Sequence, residues 1–383
     1  MRPHSLTITS ALVLSLVSTV ALAGTRIIEP STAIVVAPFH EAHHVRGDDG
    51  REHVEYDLLV TNVFDGQVRV TTLEITNEAG KVIGHLDGRE LAEATQTLID
   101  GKPAEAIPPS GSVAIEVDLI LSPGTLPKRL SHRVVYDFPQ LDPLASLIGS
   151  REVVGAEVEM SKSEPVPIIA PLTGPGWAAL NGCCVPNIHR NVRVAAGTRI
   201  ATPETFAIDW VQLKGDKLFK GDGKAVKQFP YYGAEVRSVA DGEVVAVRDG
   251  MAESQPFMPP KTVHAPNDYG GNHVIIRIRP DVYALYAHLQ PGKIAVKIGD
   301  KVKAGSRIGR LGNSGNSSAP HLHFGLLDRP DPLTGDSLPF VIDQFELTGK
   351  VEISEERKTL MVKPASGKVE AAYPLVFGVT TFR

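Results

Sequence analysis

The run YALYAHLQPGKIAVKIGDKVKAGSRIGRLGNSGNSSAPHLHFGL, Tyr283–Leu326, decides the fold. Short apolar stretches alternate with polar residues and are broken by glycine-rich turns, with no helical period, as in a compact antiparallel sheet. Residues two apart on a strand point to one face. His321 and His323 therefore project together, while Leu322 points the other way, toward a core. Taken alone, the pair is either part of a metal site or two ordinary strand residues. Gly312–Pro320 precedes it with glycines and short polar side chains, which let the chain turn tightly and leave backbone groups free to meet an extended peptide.

The same arithmetic applies to the neighbours. In FAIDW, Phe206, Ile208 and Trp210 form an apolar face, which leaves Asp209 on the opposite one. In LYAHL, Tyr286 and His288 share a face, and NIHRNVR adds His189. Two imidazoles and a carboxylate match a catalytic zinc site, in which three protein ligands leave the fourth position to water.

Together, ADGEVVAV, GGNHVIIR and the run from Tyr283 resemble, in order and spacing, the lysostaphin/LytM-type zinc metallopeptidases, most of which act on bacterial peptidoglycan. The resemblance spans roughly Asn181 to Asp343 and is strongest from Gly271 to Leu326. It implies one zinc ion per chain, held by His189, Asp209 and His323, with His288 and His321 as the catalytic histidines. The common pattern separates the first histidine and the aspartate by three residues; nineteen lie between His189 and Asp209. That departure predicts neighbouring strands rather than one. His264 and His273 have no counterpart role and are expected to pack or lie exposed. The activity implied is hydrolysis of peptide bonds in peptidoglycan cross-links or stem peptides by metal-activated water. The rival readings are a non-catalytic cell-wall module that activates other hydrolases, and a secreted protease acting on Gly-rich proteins. ADGEVVAV with VKIGDKVKAGSRIG also resembles a lipoyl or biotinyl carrier, but no lysine sits in a clear modification hairpin and the histidines would go unexplained.

The rest of the chain reads as all-β too. STAIVVAPF, VEYDLLVTNV, QVRVTTLEITN, GSVAIEVDLIL and LSHRVVYDF, separated by turn signals, predict an immunoglobulin-like β-sandwich over residues 24–162. Four prolines between Ser163 and Gly176 predict a linker over 163–180. The peptidase domain is expected over 181–349, with additional strands over 350–383. FHEAHHVRGDDG, with His40, His43 and His44, predicts an exposed loop. Residues 1–23, with Arg2, an apolar run and Ala21-Leu22-Ala23, read as a secretory signal peptide. An exported protein, periplasmic or extracellular and without a membrane anchor after cleavage, is the expectation. The 383 residues carry a formal charge of −5, or −6 without residues 1–23, which hold Arg2 and no acid. That balance argues against a nucleic-acid partner. The two cysteines, Cys183 and Cys184, are adjacent and too few for a disulfide framework or a four-cysteine zinc site; a disulfide, free thiols and an intermolecular bridge all stay open, as does the oligomeric state. Soft ligation by them near His189 is unneeded, because the histidine and carboxylate set already supplies three ligands.

Overall fold

The computed structural model describes residues 30–139, 143–354 and 359–383. The signal-peptide reading lies outside these residues. Among them the fold is nearly all β, as expected, and no helix is long and apolar enough to cross a membrane.

The first half folds as two antiparallel sheets on one core. One sheet runs in the order Ile34–Pro38, Glu52–Asn62, Ser112–Leu121, Thr95–Thr97, with His43–Arg46 also paired to Glu52–Asn62. The other runs Val82–Asp87, Arg69–Asn77, Arg129–Asp137, Glu152–Glu159. Alternation sends Tyr56, Leu58, Val117 and Leu119 inward against Leu73, Ile75, Val134 and Tyr136. The stretch with His43 and His44 is not an exposed loop. It forms the strand His43–Arg46, because His44 Nδ1 meets Glu52 Oε2 at 3.2 Å and the His43 ring packs 6.2 Å from that of Phe206.

The second half is built on one long sheet, whose central strands run Gly174–Leu180, Ile208–Gln212, Leu322–Leu327, Val282–Leu289, Asn272–Arg279 and Gly242–Arg248. Val166–Ile168 and Gly174–Leu180, inside the proline-rich stretch, are strands of this sheet, and Pro167 is tolerated because its strand is an edge. The strands Phe340–Ser354, Thr359–Ala372 and Gly378–Phe382 extend the same sheet. Across the centre, Trp210 pairs with Leu322, and Phe324 with both Ile208 and Tyr286, an apolar row facing the main core. The next row, Asp209, His323 and Ala287, faces the other way. That alternation is what turns a sheet interior into the floor of a site.

Candidate metal centre

Asp209 and His323 stand directly opposite on adjacent strands, with Oδ1 3.0 Å from His323 Nδ1. Asp209 Oδ2 lies 3.2 Å from His189 Nε2 and accepts a hydrogen bond from Asn181 Nδ2 at 2.8 Å. One ligand atom from each of His189, Asp209 and His323 falls within 4.8 Å of the other two, and all three residues are buried. His189 is not on a strand beside Asp209, as its spacing predicted. It sits in a turn of the loop over 181–193, which leaves the sheet after Leu180, and its side chain returns to the sheet from outside. Cys183 and Cys184 of that loop are joined as a disulfide.

His321 Nε2 is 3.2 Å from Asp209 Oδ1, and its ring centroid is 4.7 Å from that of His288, which is 5.8 Å from that of His323. The expectation that Tyr286 and His288 share a face fails. Tyr286 packs into the core 5.3 Å from Phe324, whereas His288 points to the face of His323. The cause is a bulge. Asn272 pairs with Leu289 and Val274 with Tyr286, so Ala287 and His288 together oppose His273 alone. His288 takes φ = 60° there, which re-aims its side chain.

Three of the four rings have their tautomer fixed by a backbone carbonyl, which can only accept a hydrogen bond. Nδ1–H of His189 donates to Ala207 O at 3.1 Å, of His288 to Ser314 O at 2.8 Å, and of His321 to Ala319 O at 2.8 Å. His288 is thereby left with the lone pair of Nε2, while Nε2 of His189 and of His321 each faces an Asp209 carboxylate oxygen at 3.2 Å. The loop over Gly312–Pro320 thus supplies two of these carbonyls, and Asn316 N bonds Tyr269 O, so its backbone is largely used within the protein rather than held free for a peptide. Gly271 and Gly315 allow this packing. Both have positive φ, and a Cβ on Gly315 would lie 2.3 Å from Gly271 N.

The electrostatics favour a cation between these groups. Burial pulls the His189 pKa down, but the carboxylates of Asp209 and Glu204 outweigh it and raise it to about 9. Burial pushes Asp209 up, yet His321 and His189 hold its carboxyl well below the usual range. His288 is pushed well below the ordinary histidine value by burial and then by His321 and His323. His321 is lowered by burial but raised overall by Asp209. Glu204 was not singled out in the sequence. It is buried, with Oε2 3.8 Å from His189 Nε2 and Oε1 4.0 Å from His323 Nε2. It precedes the strand Ile208–Gln212, so no alternation pointed to it. His264 and His273 stay outside the cluster; His273 is buried, its Nδ1–H donating to Gly271 O at 2.9 Å.

The five residues open into a cavity of about 850 Å³ whose wall also carries Phe257, Met258, Tyr269 and Ile188. Residues 223–334 match the model of Peptidase family M23. The matched segment contains His288, His321 and His323, while His189 and Asp209 precede it. The resemblance read from the sequence is borne out by this match. Peptidoglycan DD-endopeptidase ShyA of Vibrio cholerae serotype O1 is 45% identical over 65 residues, 17% of this chain and 15% of that protein. Glycyl-glycine endopeptidase ALE-1 of Staphylococcus capitis is 34% identical over 104 residues, 27% and 24% of the two chains. The chain covers less than a quarter of the length of either relative. Among solved structures, the catalytic domain of lysostaphin from Staphylococcus simulans aligns at 22% identity and a TM-score of 0.23, over 43% of this chain and 84% of that one.

Proposed function

We propose that the protein is an exported zinc endopeptidase that hydrolyses peptide bonds of bacterial peptidoglycan. The observation that carries this reading is the convergence of His189 Nε2, an Asp209 carboxylate and His323 Nδ1 on one buried point, with two further imidazoles beside it. The donor set fits zinc: two imidazole nitrogens and one carboxylate oxygen, with a backbone carbonyl fixing the tautomer of His189. When bound, zinc there supplies Lewis acidity toward a peptide carbonyl and lowers the pKa of water to about 7. His288, neutral and with Nε2 unprotonated, is suited to take a proton. His321, raised by Asp209, is suited to carry one toward a leaving amine or to donate to a developing oxyanion. The apolar wall of Phe257, Met258 and Ile188 helps to exclude water from around the peptide. The donor set supports this reading over a non-catalytic wall module, and the name of the Vibrio cholerae relative, a peptidoglycan DD-endopeptidase, supports peptidoglycan as the substrate.

The test uses the mature protein, its zinc content and its action on purified sacculi. One zinc per chain and release of peptide fragments are expected, with the rate in His288→Ala lower by about 10² to 10⁴. A wild type without zinc that cleaves no better than His288→Ala would overturn the reading.

A further inference from the structure

The strand Glu52–Asn62 is buried on both faces. Val54, Tyr56, Leu58 and Val60 face the core of the first half, while Glu55 and Asp57, 0% and 1% exposed, face the second. On the neighbouring strand Ser112–Leu121, Glu116 is 3% exposed and pairs directly across from Asp57, and Asp118 directly across from Glu55. Like charges directly opposite on a sheet repel, and buried carboxylates without partners are costly. This face of the sheet needs cations. Two come from the loop over 181–193. Arg190, itself 2% exposed, contacts the carboxylates of Glu55 and Asp57 and donates to Tyr56 O at 3.3 Å. Arg193 Nη2 lies 2.6 Å from Glu116 Oε1 and 3.5 Å from Asp57 Oδ2. Asp118 is left to His53, whose Nδ1 is 3.4 Å away.

Arg190 follows His189 directly, and the loop that carries both has no helix or strand of its own. We propose that the N-terminal sheet is a working part of the metal centre: its buried acidic face clamps Arg190 and Arg193 and thereby holds His189 in position. The inference rests on the assignment of His189 as a metal ligand. Arg190 and Arg193 are positioning residues, acting on the metal through His189. The described residues that line the cavity begin at Leu180, so the N-terminal sheet works from behind the site and does not cover it. This also accounts for how a ligand on an irregular loop, with nineteen residues between it and Asp209, is held at the sheet. An Arg fork between several carboxylates fixes orientation as well as charge.

The experiment measures zinc affinity of the full mature chain by competition with a chromogenic chelator. Absorption of the Co²⁺-substituted protein reports ligand geometry. The double variant Arg190→Met/Glu55→Met removes one cation and one carboxylate together and leaves Asp57 to Arg193. It is expected to melt cooperatively yet bind zinc 10- to 100-fold more weakly, with an altered Co²⁺ spectrum, the usual effect of losing a group that orients a ligand. Arg193→Gln is expected to weaken zinc in the same direction, and Arg193→Lys, which keeps the charge, to recover part of the loss. A merely structural clamp would lower the melting temperature and leave the zinc affinity of the folded protein unchanged. Folded double variant within twofold of wild type, with His189→Ala impaired, overturns the positioning role alone. Undiminished zinc binding in His189→Ala overturns the ligand assignment and the inference with it. Should the double variant not fold, the Arg193→Gln and Arg193→Lys pair decides by the same criterion.

Discussion

His288 reaches the site through one extra residue in its strand and a left-handed backbone at that residue. Alternation placed Asp209 and His323 correctly, because the two stand opposite each other in strict register, and His321, one residue before its strand, joins them on that face. It misdirected His288, because a bulge leaves no mark in the periodicity of a single strand. Glu204 and Asn181 carried no periodic signal at all, lying where the chain enters or leaves a strand. A second residue-scale consequence concerns His43, whose pKa is lowered to about 4 by burial first and then by His40, against the opposing pull of Glu41. In the unfolded chain it titrates near 6.5. Between these values the unfolded chain binds a proton that the folded one refuses. Stability from neutral His43 is thus fully present above about pH 6.5 and is lost as pH falls toward 4. Denaturant titrations at several pH values in that window should show wild type losing more stability than His43→Gln. Parallel losses would contradict the burial argument.

At the scale of elements, the strands were legible wherever one face is apolar and the other polar. VEYDLLVTNV, GSVAIEVDLIL and LSHRVVYDF match the strands Glu52–Asn62, Ser112–Leu121 and Arg129–Asp137, each with one residue beyond the strand's end, for this reason. Prolines concealed Val166–Ile168, which is an edge where a missing N–H costs nothing. The glycines of Gly312–Pro320 predict a tight turn, which the loop forms, but its use of carbonyls to fix His288 and His321 follows from its packing against Tyr269 and Gly271. That packing makes Gly315→Ala an informative change. It combines a positive φ with a Cβ 2.3 Å from Gly271 N. We expect a loss of about 2–4 kcal/mol in stability. Urea denaturation measures it, and a loss under about 0.5 kcal/mol, typical of a surface change, would show that the two segments are not held this closely.

For the whole molecule, the polar face of the sheet over Glu52–Asn62 and Ser112–Leu121 looked like any solvated face in the sequence. Its carboxylates are buried because Arg190 and Arg193, more than seventy residues further on, lie against them. A pairing at that separation leaves no local signal. The segment that matches the peptidase family carries three of the five histidine and aspartate positions, and the remaining two, His189 and Asp209, precede it. The metal centre therefore depends on whether those two join His323 around one ion. Diffraction at the zinc absorption edge from crystals of the zinc-loaded protein tests this most directly. It should show one anomalous peak at ligand distance, about 2.0–2.2 Å, from His189, Asp209 and His323. A peak that omits His189 or Asp209, or that lies among His288, His321 and His323 instead, would contradict it.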